Sequence, residues 1–257
     1  MKASKKPTKE QRKAVREARK IIEQVLEMGG NEAETRKRVE RIFEWVMGYN
    51  AFKHISRERA IQTAGEAEHV DFAIQLEPGQ EAQPIIMVEL KRVGIKLAKK
   101  HLKQVTSYAI DAGCEWVILT NGREWKVYHV EFGQPPKTEL FDAWNLLEDK
   151  VDSLVRKFEV ISYRSVKRNG LNDQWERVKV LAPDTLIAAI VNIDSFKIIR
   201  RILRKNTGIL VNEEEVYSGI KKLLNEKAAS VMSEIKVPTP VKRPRKTKTA
   251  EEPGTEP

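Results

Sequence analysis

The stretch VDFAIQLEPGQEAQPIIMVELK, residues 70–91, decides the fold of this chain. Its two ends, residues 70–74 and 84–91, are rich in β-branched and other apolar residues and therefore predict two strands. The intervening Glu77-Pro78-Gly79-Gln80 has the composition of a turn. A hairpin of this kind would bring Asp71 close to the charged end of the second strand.

The second strand ends in Glu89-Leu90-Lys91. Side chains alternate between the two faces of a strand, so Glu89 and Lys91 share one face. Two carboxylates on a half-buried sheet need a compensating partner, because burying unpaired charge is costly. Mg²⁺ (or Mn²⁺) is such a partner, since a hard cation prefers oxygen ligands and is commonly held by one or two carboxylates plus substrate phosphate. The alternative is that Asp71 and Glu89 are strand-end charges paired with Lys91 or Arg92.

These elements, in this order, resemble the PD-(D/E)XK nuclease superfamily, with Asp71 as the first acidic residue and residues 89–91 as its E-X-K element. Gln104 and Tyr108 lie four residues apart on a predicted helix and look like the Q-x-x-x-Y element of the type I restriction and RecB-like branches. NEAETR (residues 31–36) precedes this set and WVILTNG (residues 116–122) follows it. From about residue 30 to residue 145 the chain resembles the N-terminal nuclease domain of type I restriction enzyme R subunits.

The resemblance implies a Mg²⁺-dependent DNA endonuclease, or a nuclease module of a restriction system, that hydrolyses phosphodiester bonds. Asp71 and Glu89 are then expected to hold the metal, with the Leu90 carbonyl as a further ligand. Lys91 is expected to activate water or to stabilise charge on the phosphate. The resemblance also implies that Gln104 and Tyr108 organise the site or contact the DNA backbone.

In the resembled family an acidic residue near the start of the second helix points toward the metal. Two residues are available, and we expect Glu34 to form a capping box with Asn31. Glu32 is therefore the candidate for the additional acidic residue. The alternative role of Glu32 is to complement the helix dipole.

The formal net charge of +10 indicates a polyanionic partner, and nucleic acid is the default. A predicted helix over residues 96–112 has a basic side, and we expect it to contact DNA through Lys96, Lys99, Lys100 and Lys103. His101, one turn before Gln104, is expected to occupy a solvated position on the same helix, and the alternative is that it lines the cleft. Further expected partners are motor or methyltransferase/specificity subunits of a restriction system.

The single cysteine, Cys114, cannot form an intramolecular disulfide and favours a reducing compartment. The longest clean apolar run, residues 186–191, is too short to cross a membrane, and the N-terminus has no signal-peptide core. We therefore expect a cytoplasmic protein with no membrane partner. The chain contains no G-x-x-x-x-G-K-[ST] loop, so it is expected to carry at most the nuclease portion of an ATP-driven restriction subunit.

We expect three regions: a nuclease-like core with N-terminal helices (1–145), a helical region (146–236) and a disordered, basic, Pro-rich tail (237–257). The expected fold class is α/β, a restriction-endonuclease-like mixed sheet flanked by helices, with a small C-terminal helical region. Residues 48–68 are expected to be irregular or partly helical. The remaining predicted elements are helices at 8–28, 31–47 and 146–158, strands at 115–120 and 124–132, a helix capped by Asp184-Thr185, and helices around 198–203 and from 212.

Two other functions are compatible with the sequence. The first is a catalytically silent nucleic-acid-binding or assembly protein with the same fold. The second is a hydrolase directed at RNA or nucleotides. The presence of Asp71, Glu89 and Lys91 together favours catalysis, because a purely structural descendant has no need for all three.

Overall fold

A computed structural model describes residues 6–62, 67–78 and 82–224, without the side chains of residues 58–62 and 67–69. The chain divides into two compact units, Met1–Trp175 and Glu176–Pro257. The predicted tail, residues 237–257, lies outside the described residues. The predicted domain boundaries at residues 145 and 236 stay predictions.

Among its described residues, the first unit is built on a six-stranded mixed sheet whose strands lie side by side in chain order. All neighbouring strands are antiparallel except the third and fourth, which are parallel. A parallel pair requires a crossover, and a helix supplies it here. The strands are β1 Ile55–Gln62, β2 Ala67–Ile74, β3 Ile86–Leu90, β4 Trp116–Thr120, β5 Glu124–Glu131 and β6 Lys137–Asn145.

Helices cover both faces of this sheet. The helices of the first unit are α1 Lys9–Glu27, α2 Glu32–Trp45, the crossover helix α3 Lys99–Asp111, α4 Val151–Val160, α5 Tyr163–Val166 and α6 Gly170–Val180, the last of which runs across the unit boundary. On one face, Phe43 of α2 and Phe158 of α4 pack around Trp125 of β5. On the other face, α3 packs Val105 into a core with Met87 of β3. The expected α/β class, with a mixed sheet flanked by helices, is confirmed.

Local signals in the sequence explain several element ends. Thr8 caps α1 and Asn31 caps α2, each in a capping box, with Glu34 as the predicted partner of Asn31. The tight turn after β4 contains Gly122 at φ +81°, a conformation that glycine adopts without a Cβ penalty. Strands β2 to β5 and helices α1 to α3 lie within a few residues of their predicted positions.

Other expectations were wrong. Residues 55–62, expected to be irregular or partly helical, form β1, and β6 was not expected at all. Both are edge strands with several charged residues, and such strands lack the apolar alternation by which strands are recognised. The helix predicted from Leu146 begins only at Val151, because the Leu146 amide donates to the Arg123 carbonyl and extends the sheet edge.

The second unit is helical in its described part, as expected for the C-terminal region. It contains α7 Pro183–Ile190, α8 Ile193–Thr207 and α9 Glu213–Leu223 around a small core of Ile187, Val191, Phe196 and Val216. The N-cap of α7 is Ala182, with Pro183 at the first helical position, rather than Asp184. None of the described helices has the length and apolarity needed to span a membrane.

Candidate active site

The start of α2 is attached to the chain that leaves β3. The Val93 amide donates to Thr35 Oγ1 at 3.2 Å. Arg92 donates to the Gly30 carbonyl at 3.1 Å and to the Gly29 carbonyl at 3.2 Å. These contacts place the first turn of α2 beside the C-terminal end of β3, where the predicted site lies.

Asp71 lies at this end of the sheet and uses both carboxylate oxygens. Its Oδ2 accepts the Leu90 amide at 2.8 Å, and its Oδ1 accepts Arg36 Nη2 at 2.5 Å. Val70 packs on the α3 side of the sheet, whereas Phe72 packs on the side of α1 and α2, although residues two apart on a regular strand share one face. Ala73 then shares the α3 side with Val70, so the alternation is interrupted at Asp71. This interruption lets Asp71 meet both the end of β3 and helix α2.

Glu89 is 3% exposed in its side chain, and its Oε1 lies 2.5 Å from Lys91 Nζ, whose side chain is 20% exposed. Burial raises the pKa of Glu89; Lys91 opposes this shift, while Asp71 and Glu32 add to it. Burial lowers the pKa of Lys91, but the hydrogen bond and charge of Glu89 outweigh it and the net shift is upward. The two carboxylates are therefore buried, and each lies beside a cation, Arg36 for Asp71 and Lys91 for Glu89.

Glu32, in the first turn of α2, acts electrostatically on Glu89, Lys91 and His101. His101 is buried, which corrects the expected solvated position. Its Nδ1 accepts the Ala98 amide at 3.3 Å. Burial, followed by the charge of Lys91, lowers the pKa of His101, while Glu32 opposes the shift. The spacing of His101, Val105 and Tyr108, at i, i+4 and i+7, was the available signal that His101 faces the sheet.

Gln104 and Tyr108 are brought together on α3. Gln104 Nε2 lies 3.1 Å from Tyr108 Oη. Gln104 is exposed, whereas Tyr108 is only 2% exposed and packs in the core on that face of the sheet. Because Tyr108 is buried, this geometry is more consistent with a Tyr108 side chain that orients Gln104 than with one that contacts DNA directly.

The four candidate DNA-binding lysines are exposed. Lys96 precedes α3, which begins at Lys99 instead of the predicted residue 96, while Lys103 lies one turn into the helix. Lys99 and Lys100 fall in the first turn, where cations interact unfavourably with the helix dipole. An anion bound beside this turn would relieve that interaction.

The carboxylates of the candidate site fit Mg²⁺ or Mn²⁺ when water and phosphate complete the coordination. Within the described parts of the chain, no three His, Cys, Asp or Glu side chains are grouped so that they could hold a metal ion. At this end of the sheet the described residues include the carboxylates of Asp71 and Glu89, and Asp71 is fixed beside Glu89 because it accepts the amide of the next residue, Leu90. One or two carboxylates completed by water and phosphate are the usual set for Mg²⁺.

The structure also places a residue in the site that the sequence reasoning missed. Arg36 pairs with Asp71 although 35 residues separate them. Its only sequence signal is its position four residues after Glu32, which puts both side chains on one face of α2.

A family model described as "Type I restriction enzyme R protein N terminus (HSDR_N)" matches residues 31–142. The match runs from the N-cap of α2 into β6 and includes every candidate site residue. Comparisons with curated proteins and with solved structures found no match. Residues 31–142 therefore match the N-terminal family of type I restriction enzyme R proteins, and the resemblance expected from the sequence is confirmed over this segment.

Proposed function

We propose that the chain carries a metal-dependent deoxyribonuclease module of a restriction system. The observation that carries this proposal is the meeting of Asp71, Glu89 and Lys91 at one end of the sheet, within a segment that matches the family of R protein N-termini. A family match without this convergence would support only a related fold.

In this proposal Asp71 and Glu89 hold Mg²⁺ (or Mn²⁺), with the Leu90 carbonyl as a further ligand. The bound ion would polarise the scissile phosphate and neutralise charge that develops on it. Lys91 orients the attacking water or stabilises negative charge on the phosphate oxygens. Glu32 adds negative charge at the edge of the site through its interactions with Glu89 and Lys91.

The DNA backbone would pass along the start of α3. Gln104 is exposed there and held by Tyr108, and the lysine side chains lie nearby in sequence. Lys96, Lys99, Lys100 and Lys103 would contribute sequence-independent affinity for phosphate that falls with salt. The proposed partners are DNA and motor or methyltransferase/specificity subunits, and the proposed location is the cytoplasm.

One observation favours the catalytically silent alternative. Each carboxylate already has a cation of its own, since Asp71 pairs with Arg36 and Glu89 pairs with Lys91. A protein that only binds nucleic acid could keep these pairs as structural ion pairs.

Cleavage of labelled DNA and RNA, with Mg²⁺, Mn²⁺ or EDTA, separates these functions. We expect metal-dependent cleavage of DNA that EDTA stops and that Asp71→Asn and Glu89→Gln each abolish. Binding of DNA without cleavage under every metal condition would support the silent protein. Cleavage of RNA alone would support the RNA-directed hydrolase.

Lys91→Ala tests the mechanism. We expect single-turnover DNA cleavage to slow by about 10²-fold, because a preorganised charge on the reacting phosphate is lost. Mn²⁺ binding should persist, because the substitution removes no metal ligand. The matched control is Lys157→Ala, since Lys157 is 24% exposed and lies 2.5 Å from Asp142, a geometry close to that of Lys91. Cleavage at the parental rate by Lys91→Ala would show that residues 89–91 are not the E-X-K element.

A further inference from the structure

We propose that Arg36 is a built-in counter-ion that competes with the divalent metal for Asp71. The inference rests on the proposed function, because it concerns the regulation of the same site. Metal binding would then be an exchange, in which the ion takes over a carboxylate oxygen that the guanidinium holds in the metal-free protein.

The contacts of Asp71 define this competition. Oδ2 faces the main chain of β3 and is fixed by the Leu90 amide at 2.8 Å. Oδ1 faces Arg36 Nη2 at 2.5 Å. The side chain of Arg36 is 27% exposed and that of Asp71 is 9% exposed, so the ion pair is largely shielded from solvent.

The charge of Arg36 determines whether its removal strengthens or weakens metal binding. A guanidinium stays protonated at any pH at which the protein is folded, so Arg36 cannot relieve the competition by losing its charge. A divalent ion on Asp71 would lie close to this charge in a half-buried position, where the repulsion is screened less than in water. Loss of the Arg36 charge should therefore strengthen metal binding.

The start of α2 is held in place by contacts that do not involve the Arg36 charge. The helix start is held independently by the Asn31 cap, by Thr35 with Val93, and by Arg92 with the Gly29–Gly30 carbonyls. Removing the charge of Arg36 leaves these contacts in place. The chain also offers a matched control, because Arg57 of β1 pairs with Glu40 of α2. That ion pair likewise joins α2 to the sheet, but it does not involve a proposed metal ligand.

The experiment is isothermal titration of the full chain with Mn²⁺ in the absence of DNA, for the parent and three variants. Arg36→Gln keeps a hydrogen-bond donor and loses the charge, and it should bind Mn²⁺ at least about tenfold more tightly than the parent. Arg36→Lys keeps the charge and should bind Mn²⁺ like the parent. Arg57→Gln should also bind Mn²⁺ like the parent.

Thermal melts provide a second readout. Without metal, Arg36→Gln should melt below the parent, because Asp71 loses its counter-ion, and Mn²⁺ should raise its melting temperature more than that of the parent. Should Arg36→Gln be unfolded without metal, saturating Mn²⁺ should restore the fold. Failure of Mn²⁺ to do so would overturn the proposal.

The outcomes separate this inference from the proposed function. A parent that binds Mn²⁺ and cleaves DNA, with an Arg36→Gln variant of equal or weaker Mn²⁺ affinity, would overturn the competition alone. An equal gain in Mn²⁺ affinity in Arg57→Gln would also overturn it, because the loss of another positive charge from the chain would then have the same effect. Absence of Mn²⁺ binding in both the parent and Arg36→Gln would overturn the proposed metal site together with this inference.

Discussion

At the scale of single residues, several buried polar side chains have a specific partner. His54, the residue before β1, is an example outside the candidate site. Its Nδ1 accepts the Asn50 amide at 3.0 Å, and its ring stacks on Tyr163 with centroids 4.2 Å apart. The histidine thereby joins the turn before the sheet to α5.

The environment of His54 favours the neutral imidazole. Burial lowers its pKa, and the charges of Lys53 and Lys167 lower it further, while Glu77 opposes them. Because the folded-state pKa lies below the usual 6.5, the stability that His54 contributes is complete above that value. It is lost as the pH falls through the folded-state pKa.

We therefore predict that His54→Gln destabilises the protein more at about pH 8 than at about pH 5.5. The physical reason is that the contribution of neutral His54 declines as the pH falls below 6.5, so the parent has less of it to lose at the lower pH. Urea unfolding of the parent and the variant at both pH values measures the difference. An equal loss of unfolding free energy at the two pH values would contradict the assigned pKa direction.

At the scale of elements, the turn between β4 and β5 depends on one glycine. Gly122 has φ +81°, and its carbonyl accepts Trp125 Nε1 at 2.9 Å. A Cβ at this position would lie 2.8 Å from Ile22 Cδ1 of α1. The turn thus connects two strands and also allows α1 to approach the sheet closely.

Gly122→Ala should lower the free energy of unfolding by at least about 1 kcal/mol, because a left-handed backbone conformation is strained for a residue with a Cβ. The matched control is Gly94→Ala, since a Cβ at Gly94 would meet no atom within 4 Å and no left-handed φ is present. Urea unfolding measures both variants. Equal stability of the two would show that the turn tolerates a side chain.

At the scale of the whole molecule, the sheet core extends beyond the segment that matches the family. Leu154 and Phe158 of α4 are buried in it, as are Leu171 and Trp175 of α6. Phe158 packs edge-on against Trp125 at 5.2 Å and against Trp144 at 5.2 Å. Residues 146–175 thus belong to the hydrophobic core of the first unit.

Two fragments test where the first unit ends. We predict that residues 1–175 fold cooperatively and that residues 1–145 do not, because the shorter fragment lacks the core residues of α4 and α6. Deleting even one buried phenylalanine side chain typically costs about 3–5 kcal/mol, a large part of a domain's stability. Circular dichroism and urea unfolding of both fragments provide the measurement. A cooperative transition in 1–145 would place the boundary at the residue first expected.

Local patterns predicted the central elements correctly. Apolar runs indicated β2 to β5, and the capping residue Asn31 indicated where α2 begins. The hairpin between β2 and β3 also predicted that Asp71 would lie beside residues 89–91, as the Asp71–Leu90 hydrogen bond shows. Such features are readable because neighbouring residues in the chain determine them.

The sequence by itself therefore determined the α/β class, the central strands and the carboxylate pair with its lysine. Tertiary structure alone decided the edge strands β1 and β6, the burial of His101 and the pairing of Arg36 with Asp71. Edge strands are half solvated and carry charges, so their sequences lack strand periodicity. A contact across 35 residues depends on how α2 packs against the sheet, and no local pattern records that packing. The identity of the counter-ion at Asp71 is for this reason a property of the folded protein.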